Sequence, residues 1–135
     1  MEGKGVALAK RTTDFALRVV RLYRALPGCD EARVVGSQLL RSATSVAANY
    51  RAVCRARSRA DFISKLGIVE EEADETVFWL EFLGETGVVK KERLRDLVSE
   101  GDQLTAIFAA SRKTARRNNC RLTVGGQKIK GVRAY

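Results

Sequence analysis

A chain of 135 residues has room for one domain built on a single hydrophobic core. It carries 25 lysines and arginines against 16 acids, a net charge of +9, and no histidine. That balance excludes Ser-His-Asp and Cys-His catalysis and Cys/His zinc sites, and it favours contact with a polyanion such as RNA or DNA.

The N-terminal stretch MEGKGVALAKRTT lacks the sustained apolar core of a signal peptide. The apolar run from Val77 to Leu80 is far short of the roughly 20 residues that span a bilayer. Cys29, Cys54 and Cys120 are scattered, with no CxxC pair, as suits free thiols in a reducing compartment. The expectation is a cytoplasmic protein with no membrane contact and no cofactor.

Taken along the chain, the apolar residues keep a helical period. Phe15, Val19, Leu22 and Leu26 step by four, three and four, and predict a first helix over about residues 12–26. PGCD, Pro27 to Asp30, makes a turn. Ala32, Gly36, Leu39, Ala43, Val46, Tyr50 and Val53 then predict a second helix over 30–56. Its small residues, with Ala47, allow a neighbour to approach closely.

Ser58 opens an S-x-x-D cap, and Phe62, Leu66, Val69, Ala73, Thr76, Leu80 and Leu83 carry a third helix over 59–84. Leu94, Leu97, Gly101, Leu104, Phe108 and Ser111 carry a fourth over 90–117. One stripe per helix and short turns predict an all-α fold, an antiparallel up-down-up-down four-helix bundle over residues 1–117. Residues 118–135 read as a flexible basic tail with Arg121, Lys128, Lys130 and Arg133 and no acid.

Two features exceed what a generic bundle needs. Val77, Phe78, Trp79 and Phe82 lie off the third stripe, so they are expected to form a self-association surface. Arg51, Arg55, Arg57 and Arg59 crowd around the second turn, and EEEADE follows from Glu70 to Glu75. In an antiparallel hairpin these acids lie level with Arg41, which is the expected mate of Glu71, Asp74 or Glu75. The four arginines near the turn are left for an outside partner. Arg112, Lys113, Arg116 and Arg117 add a second basic cluster, part of which suits the C-terminal end of the helix dipole.

Enzyme chemistry finds no footing. No glycine-rich phosphate loop is present, and a carboxylate di-metal bundle would need Glu-x-x-His pairs. Cys54 sits among arginines that would lower its pKa, yet it has no base beside it. The chain is read as a non-enzyme that holds no metal.

QLLRSATSVAANY (Gln38–Tyr50), RARSRADFISKLGIVEEEADETVFWLEFL (Arg55–Leu83) and SRKTARR (Ser111–Arg117) resemble the bacterial four-helix proteins named after 23S rRNA intervening sequences. The pattern rests on Gln38, Arg41, Ser42, Ala43, Ser45, Val46 and Asn49, then on Arg57, Ser58, Asp61 and Phe62. It departs from the family at Tyr50–Val53, where Ile-Ala-Glu-Gly is usual. The resemblance implies a homo-oligomer, with a ring-like pentamer as the leading form. Arg41, Asn49 and Glu75 are expected to be structural polar residues. It also extends to the accessory variability protein of diversity-generating retroelements, which implies nucleic acid and a reverse transcriptase, or another protein, as partners.

Two functions stand at this point. One is a non-enzymatic oligomer holding RNA or DNA phosphates with low sequence specificity through Arg51, Arg55, Arg57, Arg59, Arg112, Lys113, Arg116 and Arg117. The other is a protein-interaction scaffold in which the same arginines serve subunit or partner contacts.

Overall fold

The computed structural model describes residues 3–124. Four helices follow in order: α1 (Lys4–Ala25), α2 (Asp30–Cys54), α3 (Arg59–Thr86) and α4 (Lys91–Val124). No strand occurs among the described residues. Each helix packs on its neighbours in the chain, and α1 closes the bundle against α4 with the thinnest contact. This is the up-down-up-down bundle that the apolar stripes predict.

The stripes become the core. Phe15, Leu39, Val46, Leu66, Val69, Leu80, Leu83, Leu104 and Phe108 are all shut away from solvent. Shallow antiparallel packing brings the small residues of α2 and α4 under large ones. A Cβ on Gly36 would stand 2.7 Å from Leu26 Cδ1, and one on Gly101 would stand 2.6 Å from Val77 Cγ2. At these two places α1 and α3 press into space that any side chain would fill.

Between α2 and α3 the core holds a pair of buried hydroxyls. Thr76 Oγ1 lies 2.9 Å from Ser42 Oγ and 2.7 Å from the Glu72 carbonyl, while the Ser42 hydroxyl donates to the Leu39 carbonyl. Both of these buried hydroxyls are thereby matched, as burial demands. On the thin side, Arg11 of α1 clasps both carboxylate oxygens of Glu100 through Nε and reaches Gln103 at 2.9 Å.

The helix ends differ from expectation in two places. α1 begins at Lys4, eight residues before the expected start. Its stripe simply continues backward through Thr12, which is buried, and Leu8, which packs against the core. α4 runs to Val124, through the first third of the expected tail. Residues 118–124 contain no glycine or proline, and nothing stops the helix before Gly125 and Gly126. The remainder of that tail, 125–135, lies outside the described residues.

The turn between α2 and α3 has specific local chemistry. Ser58 Oγ accepts the Asp61 backbone N–H at 3.0 Å, and Asp61 Oδ2 accepts the Arg57 backbone N–H at 3.2 Å. The two residues satisfy otherwise orphaned donors at the start of α3. Ser58→Ala should lower stability by about 1 kcal/mol, read as a shift in the urea midpoint at unchanged slope.

Candidate nucleic-acid interface

The last turns of α2 and the first of α3 surround an open depression of about 540 Å³. Ala48 and Ala52 contribute small side chains to it; Arg51, Arg55, Arg57 and Lys65 supply cations and Asp61 the one acid. The three arginine side chains are exposed and form no ion pair or hydrogen bond among the described residues. Asp61 is already engaged: Lys65 Nζ lies 2.9 Å from its Oδ2. That hydrogen bond, with the one from the Arg57 backbone, holds the Asp61 carboxyl below its usual range. The depression therefore presents cations in excess, with its only acid neutralised.

The expected basic residues do not all stay available. Arg59 is partly buried, and its Nη1 is shielded from solvent with no hydrogen-bond partner. Its position in the first turn of α3 turns it inward, unlike Arg55 and Arg57. Arg112 is spent within the fold: its Nη2 stands 2.8 Å from Glu70 Oε2 and its stem crosses Gly67. That pair is close but poorly aligned, so the shielded Glu70 oxygen has a charge contact without a hydrogen bond. Helical spacing turned Arg112 toward α3, a packing consequence that charge counting overlooks. Lys113, Arg116 and Arg117 remain exposed and unpaired. Because Arg112 packs over Gly67, they lie level with the beginning of α3, at the same end of the bundle as the depression.

The acidic block also divides. Arg41 Nη2 binds Glu75, and Arg41 Nη1 lies 3.3 Å from Glu72 Oε2, where Glu71 or Asp74 were the other expected mates. Glu75 in turn accepts the Trp79 indole N–H at 3.2 Å. Asn49 is occupied inside α2, donating to the Ser45 carbonyl and hydroxyl at 2.9 and 2.8 Å. Glu71 and Asp74 keep exposed carboxylates with no ion pair.

The Arg41 hydrogen bond holds the Glu75 carboxyl below its usual value, partly opposed by burial and reinforced by Trp79. A carboxyl depressed by folding adds stability above its unfolded pKa, near 4.5, and loses it as the pH falls through the folded value. Arg41→Gln should cost about 1 kcal/mol at neutral pH, because the guanidinium is half exposed. That gap should close as urea titrations move toward roughly pH 3.

Of the expected self-association residues, Val77 belongs to the core, where it fills the space over Gly101 and is 7% exposed. Trp79 is half-buried against the core, and only Phe78 and Phe82 stand outward. Near the basic end, a mostly apolar cleft of about 750 Å³ separates the start of α1 from Tyr50, Phe62 and Ile107. Tyr50 packs its ring 5.6 Å from that of Phe108, and burial pushes its phenol well above the ordinary value. It is a core residue and offers no platform for stacking a base.

The family model for the 23S rRNA-intervening sequence protein matches residues 4–110. The chain belongs to that family. The match covers α1 to α3 and the first part of α4 and takes in Arg51, Arg55, Arg57 and Lys65; Lys113, Arg116 and Arg117 lie past its end. Among solved structures, the intervening-sequence chain is similar to a crystal structure from Bacteroides thetaiotaomicron, of a protein with unknown function from the S23 ribosomal protein family. The two share 36% identity with a TM-score of 0.75, over 83% of this chain and 100% of the other. No curated protein matches.

Sequence reasoning missed Lys65, which completes the basic rim of this intervening-sequence protein. Its signal was available: it stands four residues after Asp61, one helical turn from the capping acid. It also missed the Arg11–Glu100 pair, which joins residues 89 apart and which no local spacing could reveal.

Proposed function

We propose that this chain is a non-enzymatic, self-associating bundle that holds nucleic acid by its phosphates. Arg51, Arg55, Arg57 and Lys65 form the principal contact, and Lys113, Arg116 and Arg117 extend it along α4. One observation carries the reading: three exposed arginines without internal partners gather at a depression whose single acid is already paired. Clustered like charges repel one another, and an anionic partner relieves that repulsion. Phosphates fit this geometry better than base edges do, since no exposed aromatic lines the depression. RNA and DNA are therefore both substrates, held with little sequence preference. Assembly of several copies, a pentameric ring among them, would repeat the patch and add avidity.

The test is the affinity for a structured RNA across a salt series. Three neutralised phosphates predict a loss of about fortyfold between roughly 50 and 200 mM salt. Absence of binding at the low end, or binding indifferent to salt, would sink the reading.

A second reading, the protein-interaction scaffold, is favoured by the exposed rings of Phe78 and Phe82 and the free carboxylates of Glu71 and Asp74. Reversing Arg51 and Arg55 separates the two. Loss of assembly supports the scaffold, and intact assembly with lost RNA binding supports the phosphate contact.

A further inference from the structure

The face of α3 that points away from the bundle combines aromatic rings with uncompensated acids. Phe78 and Phe82 are 52% and 45% exposed, and their ring centroids lie 5.9 Å apart. Both rest on Trp79, at 4.9 and 5.9 Å. Helical spacing puts Asp74, Glu75, Glu81 and Glu85 within one turn of these rings and Glu71 on the same face one turn further. Glu75 is met by Arg41 and Glu85 by Lys91. Glu71, Asp74 and Glu81 have no ion pair among the described residues. An apolar patch in a negative field repels phosphates and fits a cationic segment that also carries apolar side chains.

We propose that this patch receives residues 125–135 of a second copy of the chain. That segment, GGQKIKGVRAY, holds Lys128, Lys130 and Arg133 without an acid, interleaved with Ile129, Val132 and Tyr135. Its charges and apolar groups complement the patch in kind. Reach favours a segment from a different molecule for the whole patch out to Phe82. Gly101 of α4 faces Val77, next to Phe78, and Val124 lies about 35 Å further along the same helix. Lys128 to Arg133 follow Val124 by four to nine residues, at most about 32 Å of extended chain. Glu71 and Asp74 stand beside Thr105 and Arg112 of α4, but Phe78 and Phe82 lie beyond that reach. A neighbour's patch carries no such restriction. The inference rests on the self-association in the proposed function and names the contact that produces it.

Full-length variants test it, with Trp79, the only tryptophan, as reporter. Lys128→Glu, Lys130→Glu and Arg133→Glu together should lower the mass seen by light scattering and shift Trp79 emission to the red. A synthetic peptide of residues 125–135 should reverse that emission shift. It should bind at least tenfold more weakly when Glu71, Asp74 and Glu81 are changed to lysine. Combining both sets of reversals should recover the mass. Unchanged mass together with no response of Trp79 to the peptide overturns the proposal. So does a tail reversal that weakens RNA binding tenfold while mass and emission stay constant, since the segment would then be a phosphate-binding arm. RNA affinity measured in parallel keeps the two questions apart: failure of the arginine site to bind RNA leaves the mass and Trp79 results standing.

Discussion

Changing Arg51, Arg55 and Arg57 together to glutamate should lower the affinity for a structured RNA at low salt by at least about a hundredfold. The salt dependence should flatten by about three phosphate contacts, because each lysine or arginine removed from a phosphate takes roughly one unit from the slope. The fold should survive the change. The three side chains are exposed and form no hydrogen bond or ion pair among the described residues. A glutamate at 51 or 55 is mildly unfavourable at the end of α2, and one at 57 is mildly favourable before α3, so the dipole effects largely offset each other. Thermal unfolding of the variant should stay within a few degrees of the parent, which separates lost binding from lost structure. The same substitutions to glutamine should remove the contacts without adding repulsion and give a smaller loss. Equal RNA affinity in parent and glutamate variant would place the contact elsewhere on the molecule.

The second large effect concerns the core under the basic end. Phe108→Ala should destabilise the bundle by about 3–5 kcal/mol. Phe108 is fully buried, and its ring packs 5.6 Å from that of Tyr50, which covers it from α2. Removing it deletes the transfer free energy of the ring and leaves a cavity that four well-packed helices close only in part. For a domain of this size the loss corresponds to a fall in Tm of roughly 10 to 20 °C. Val34→Ala, at a position 64% exposed, should stay within about 0.5 kcal/mol of the parent and serves as the control. A Phe108→Ala cost below about 1 kcal/mol would mean that α2 and α4 do not meet across this ring pair.

These two expectations come from different depths of the molecule, and they differ in how well the sequence foretells them. The burial of Phe108 is legible at once, because it continues the stripe of Leu94, Leu97, Gly101 and Leu104 at helical spacing. A period of 3.6 residues is a local property, and a one-sided apolar stripe has to be covered whatever the partner. The same reasoning anticipates the small residues of α2, the S-x-x-D cap at Ser58 and the pairing of Arg41 with Glu75. The hairpin register follows from counting residues on either side of a short turn.

Which arginines remain free was not legible in this way. Arg55 and Arg112 look alike in composition, yet one is exposed and unpaired while the other spans Gly67 to reach Glu70. Val77 and Phe78 are adjacent and both apolar, yet one fills the space above Gly101 and the other faces solvent. The sequence alone determined the four helices, the stripe each one buries and the excess of positive charge, since these depend on residue type and spacing along one helix. Only the tertiary structure decided which charges are spent inside the fold and which rings stay outside. Those outcomes depend on how α3 is rotated between α2 and α4, where Val77 sits close over Gly101, a contact between residues far apart in the chain.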